Sequence, residues 1–217
     1  MVRLCPETEQ ILYGEYSPTC IQYSQNSRPE LEQIVAQLPN ESQRDRAIAA
    51  MNWVCQNVQH PHTYGPIAPN RALSEEQLIK SQLGWCNEQA RVFVALCEVM
   101  EIPARLCFLF HSNLVCGHTT AEVFLENRWA FFDSTFNLTV ELPDGGLAEA
   151  RKLSGPLREL AHRAYHRPLV EYYARTHPFV QNEPGWNPRE RPHVYRGGDL
   201  LAYIGICNYM IDGARAV

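Results

Sequence analysis

The sequence predicts an α+β fold in which a central helix packs on an antiparallel sheet, and three observations carry that prediction. The run from Cys86 to Met100 is apolar on nearly every face, the pattern of a helix buried all round. Past Pro103, the runs ARLCFLFH and HTTAEVFLENRWAFFDST have strand length and are rich in aromatic and β-branched residues. Glu126-Asn127 divides the second run as a hairpin turn.

The elements before the central helix follow from caps and spacing. Pro29 opens a short helix whose apolar positions Leu31, Ile34, Val35 and Leu38 keep the three-and-four spacing. Ser42 with Asp45 resembles a capping box for the next helix, with Ala47, Ile48, Met51, Cys55 and Val58 as its buried stripe. QHPHTYGPIAPNRA reads as loop, because its three prolines and one glycine break both periods. Ser74 and Gln77 then form a capping box for a helix of about ten residues, with Gly84 as the expected stop. The central helix begins at once, ends at Pro103, and has Ala90, Phe93, Val94, Cys97 and Met100 on one face.

Composition narrows the function classes. The chain has 217 residues, 45% of them hydrophobic, enough to bury a full single-domain core. A formal net charge of −5 gives no basic surface for DNA or RNA, so no nucleic-acid partner is expected. No long apolar run and no secretory leader pattern is seen, so no membrane partner is expected and the localisation reads as cytoplasmic. Eight cysteines are too sparse for a disulfide scaffold. Cys116 with His118, and His60 with His62, are two pairs of potential zinc ligands, but no CxxC or partner pair accompanies them and no metal is expected.

Cys86 occupies the first turn of the central helix, where unpaired N–H groups and the helix dipole favour a thiolate and can hold a developing oxyanion. Position alone leaves a nucleophile and an inert buried thiol both open. His118 begins one strand of the hairpin and Asp133 ends the other, so the antiparallel pairing brings both to one end of the sheet. Cysteine, histidine and aspartate in that order supply a nucleophile, a base and a group that orients the base. Glu122 shares the face of His118 by the period of two, and with Trp129 it reads as structural. Trp53, Asn57 and Gln82 stand as unranked candidates for a second oxyanion donor.

These segments resemble the transglutaminase-like superfamily of papain-type cysteine enzymes from about Ala47 to Asn137. GWCNEQARVFVALCEVMEIPAR is similar to its Gly-x-Cys helix and Gly-Ile-Pro-Ala-Arg turn, HTTAEV to its His-x-x-x-Glu strand, and RWAFFDST to its Trp-x-x-x-Asp-x-Thr strand. The resemblance implies a papain-like core with Cys86 as nucleophile, His118 as base or ion-pair partner and Asp133 as the group holding the imidazole. Thr119 and Thr120 in place of Ala-Trp, Glu101 in place of the turn glycine, and Ser134 in place of proline depart from the pattern.

The expected activity is cysteine-dependent acyl transfer on an amide, ester or thioester carbonyl, through a thioester and with no cofactor. The alternatives are a non-catalytic binding module that keeps the fold, or a cysteine peptidase. One domain is expected over 1–217, with its core at about 42–142 and a C-terminal elaboration at about 147–217. Residues 1–150 hold nine Lys/Arg against eighteen Asp/Glu, whereas 151–217 hold ten against six. Within the second region a helix is expected over 153–176, followed by the proline-rich stretch 177–198 with Arg189, Arg191 and Arg196. That stretch reads either as a segment docked on the acidic remainder or as a wall of the acyl pocket that meets an anionic substrate group or an acidic carrier or protein partner. The apolar run LLAYIGICNYMI should then re-enter the core.

Overall fold

The computed structural model describes residues 2–3, 6–14, 21–61, 72–110, 116–153, 156–176, 203–207 and 214–216. The stretch 177–198 lies outside them. The elements in chain order are β1 (Val2–Arg3), α1 (Pro6–Tyr13), β2 (Ile21–Tyr23), α2 (Pro29–Val35), α3 (Gln43–Asn57), α4 (Glu75–Ser81) and α5 (Cys86–Val99). There follow β3 (Ala104–Phe110), β4 (Cys116–Leu125), β5 (Arg128–Asp133), β6 (Leu138–Thr139), α6 (Ala150–Leu153), α7 (Arg158–Thr176), β7 (Tyr203–Cys207) and β8 (Ala214–Ala216).

Among the described residues, six strands form one antiparallel sheet in the order β1-β7-β3-β4-β5-β6, and β2 pairs with β8 in a second, two-stranded sheet. The apolar run near the C-terminus thus returns to the sheet as β7, between β1 and β3. The hairpin of β4 and β5 turns at Glu126 (φ 52°) and Asn127 (φ 61°), two consecutive left-handed residues of the kind a type I′ turn requires.

Side-chain alternation splits the core in two. Ala104, Leu106, Ala121, Val123, Leu125, Ala130 and Phe132 face the buried residues of α2, α3 and α5. On the other face Cys107, Leu109 and Phe131 pack with Ala150, Leu153, Ala161 and Tyr165 of α6 and α7. The central helix α5 is buried along nearly its whole length, as its all-round apolar pattern predicts. It ends in a Schellman motif: Ile102 donates its N–H to Cys97 O at 2.9 Å and Glu101 takes φ 58°. Glu101 therefore occupies the conformation that the glycine of the resembled turn would hold.

Three local expectations are corrected. The helix before α5 stops at Ser81, with left-handed Gln82 (φ 54°) as its cap, and Gly84 does not end it. Gly84 is needed for close packing: a Cβ there would meet Glu88 Cβ at 2.8 Å and Val58 Cγ1 at 3.2 Å. The buried stripe of α3 runs through Ala47, Ala50, Met51 and Val54, rotated away from Ile48 and Cys55, which are only partly buried. The helix expected over 153–176 begins only at Arg158, with α6 a separate turn before it.

Candidate active site

Cys86 is the first residue of α5, and the elements around it fix where it points. Gln59 N–H donates to Gln82 O at 2.9 Å and Gly84 N–H to Gln59 O at 3.0 Å, so the end of α3 runs beside the approach to α5. Buried Gln89 donates Nε2–H to Val58 O at 2.6 Å, and Thr135 donates its hydroxyl to Gln89 Oε1 at 2.7 Å. One side chain therefore joins the end of α3, the first turns of α5 and the turn after β5. At the N-cap Trp85 has no side-chain oxygen to give the first-turn amides, while Glu88 Oε2 accepts Trp85 N–H at 3.1 Å.

His118 and Asp133 come together at the end of the sheet. Ala121 pairs with Phe132, so one step further Thr120 and Asp133 are abreast, and His118 shares their face. His118 Nε2 donates to Asp133 Oδ2 at 2.7 Å, with both residues buried. Asp133 Oδ1 accepts the N–H groups of Thr135 at 3.0 Å and Phe136 at 3.2 Å, which orients the carboxylate. Tyr165 of α7 donates its hydroxyl to Oδ2 at 2.5 Å.

The other side of His118 meets Cys86. Burial opposes the Cys86 thiolate, but hydrogen bonds from the His118 and His60 imidazoles, the charge of His118 and the Thr119 N–H outweigh it and bring the thiol down to about 5. Burial likewise opposes the His118 imidazolium; the charge and hydrogen bond of Asp133, and then those of Cys86, bring it up to about 10. The two groups titrate as a pair, and between those values the pair is thiolate and imidazolium. Cys97, on the apolar side of the same helix, is pushed the opposite way by burial and neighbouring Glu98.

The structure thus brings Cys86, His118 and Asp133 into one chain of contacts. Other groups also meet at this site. His60, which the sequence pairs only with His62 as potential zinc ligands, lies on Cys86 and sets its ring edge-on to Trp85 at 5.0 Å, while its Nδ1 lies 3.1 Å from Pro61 O. Tyr165 lies in α7 and Gln89 in the first turns of α5. A glutamine that interrupts the first turns of an otherwise apolar helix is the sequence signal for the second. Among the former oxyanion candidates, Asn57 donates Nδ2–H to Trp53 O at 2.8 Å and Gln82 is exposed. Trp53 packs against the first core. Glu122 and Trp129 are structural, as read: Glu122 pairs with Arg105, whose guanidinium lies 3.7 Å over the Trp129 ring centre. Among the described residues no cluster of His, Cys, Asp and Glu suits a metal ion, and no helix is long and apolar enough to cross a membrane.

A cysteine at a helix start, with an imidazole and a carboxylate on adjacent strands, is an arrangement that fits a cysteine-enzyme fold. Residues 31–134 match the model of the transglutaminase-like superfamily. Among solved structures it is similar to one named "putative cysteine protease" from Cytophaga hutchinsonii, at 24% identity over 56% of this chain and 39% of that one, with TM-score 0.40. Others are a "putative protease" from Parabacteroides distasonis (13% identity, 49% of this chain and 23% of that one, TM-score 0.39) and a TGase (14%, 59% and 36%, 0.40). The chain spans less than two fifths of the length of each of these structures. No curated protein matches it.

Proposed function

We propose that the chain is a cysteine-dependent acyltransferase or hydrolase in which Cys86, His118 and Asp133 act as nucleophile, acid–base and orienting group. The observation that carries the reading is the contact of Cys86 with an imidazole whose far nitrogen is held by a buried carboxylate. The Cys86 thiolate attacks the carbonyl carbon of an amide, ester or thioester, forming a C–S bond and driving the carbonyl electrons onto oxygen. First-turn amides of α5 and the His60 imidazole are the donors best placed to hold that oxyanion. Collapse breaks the bond to the leaving group, which takes its proton from His118. Water or an amine then attacks the thioester, gives its proton to His118 and returns Cys86 as thiolate.

p-Nitrophenyl acetate, with and without a primary alkylamine, tests the reading. The protein should release nitrophenolate in a burst and carry the mass of one acetyl group on the peptide containing Cys86. Amide product in the presence of the amine assigns transfer, and acetate alone assigns hydrolysis. Cys86→Ala should lose turnover by on the order of 10³-fold or more; an acetylated site elsewhere, or an active Cys86→Ala protein, contradicts the assignment.

A further inference from the structure

The carboxylate that orients His118 has a donor from outside the superfamily segment. Tyr165 stands 32 residues beyond Asp133 in α7, past the matched region 31–134, and its hydroxyl reaches the same oxygen, Oδ2, that holds His118. We propose that Tyr165 is a positioning residue of the site: by sharing Asp133 Oδ2 with His118, its hydroxyl sets how strongly Asp133 stabilises the charged form of the His118 ring. The proposal rests on the reading of His118 as the acid and base.

Three features favour this over a hydroxyl that merely found an acceptor. Tyr165 and Asp133 are both fully buried and His118 is only 5% exposed, so water cannot substitute for either donor. A hydrogen bond from a neutral group stabilises a carboxylate and makes it a weaker base without adding charge. With two donors on one oxygen, Asp133 pulls less hard on the imidazolium, and the proton is more readily given to a leaving group. The ring is also placed independently of the hydroxyl. Phe136 packs edge-on to Tyr165 at 5.7 Å and also contacts the His118 ring at 5.4 Å, and Phe131 lies 6.4 Å from Tyr165. Loss of the oxygen alone therefore leaves the packing in place.

The test is the titration of His118 by NMR in the full chain, compared among wild type, Tyr165→Phe and Tyr165→Leu. Both variants lack the hydroxyl and should raise the His118 titration by about half a unit to one unit, moving the basic limb of p-nitrophenyl acetate turnover upward with it. Only Tyr165→Leu should also lower the melting temperature through lost ring packing. An unmoved His118 titration in either folded variant overturns the proposal and leaves Tyr165 a packing residue. The NMR readout does not need turnover, so a wild-type protein inactive on the ester defeats the catalytic reading without deciding the role of Tyr165.

Discussion

One face of β4 carries two buried ion pairs built to the same plan, and they do different things. At the sheet end, His118 meets Asp133, with the Tyr165 hydroxyl on the carboxylate. Four residues along the strand, Glu122 takes Arg105 Nε at 3.0 Å and Nη2 at 2.8 Å, the Tyr13 hydroxyl at 2.7 Å and the Ala150 N–H at 2.8 Å. Each carboxylate is buried, each meets a cation across the ladder, and each accepts a tyrosine from a helix outside the matched segment. The cation makes the difference. A guanidinium keeps its proton at any working pH, so the Arg105–Glu122 pair can only hold the sheet to α1 and α6. An imidazole can release its proton, and this one lies on a thiol.

That comparison predicts opposite consequences for matched substitutions. Asp133→Asn should lower ester turnover on the order of 10²-fold or more, with a modest change in urea midpoint, because it misorients the imidazole. Glu122→Gln should do the reverse: a stability loss of about 3 kcal/mol from the stranded Arg105 guanidinium, with Cys86 alkylation unchanged in the folded protein. Equal damage to both readouts by both variants would erase the distinction between the two pairs.

A smaller effect separates the tyrosines. Burial, and then the charge of Glu122, holds the Tyr13 hydroxyl well above the ordinary phenol range, so it remains a donor at all working pH values. Tyr13→Phe should cost about 1 kcal/mol in a urea melt and leave the His118 titration in place, in contrast to Tyr165→Phe. A shift of His118 in the Tyr13 variant would show that the two networks are coupled.

The parts legible in the sequence are those written in local patterns. The all-round apolar α5, the hairpin at Glu126-Asn127 and the chain order of Cys86, His118 and Asp133 each follow from spacing along one or two elements. What was hidden depends on contacts between distant segments. Tyr165 sits in the buried stripe of α7, where a tyrosine looks like core until its hydroxyl is followed across to Asp133. His60 lies at the start of a proline-rich stretch and is brought to Cys86 by the pairing of Gln59 with Leu83, which no periodicity announces. Gly84 follows the same logic: glycine after a helix suggests a stop, and only packing against Val58 and Glu88 reveals a close approach.

The central claim is that Cys86 exists as a thiolate facing an imidazolium at neutral pH. The direct measurement is the rate of Cys86 alkylation by iodoacetamide between about pH 4 and pH 10, read by peptide mapping in wild type and His118→Ala. The wild-type rate should rise through a midpoint near 5 and be level by neutral pH, and the variant's midpoint should move up toward that of an ordinary thiol. A wild-type midpoint near about 8.5, that of a free cysteine, with no change in His118→Ala, would contradict it.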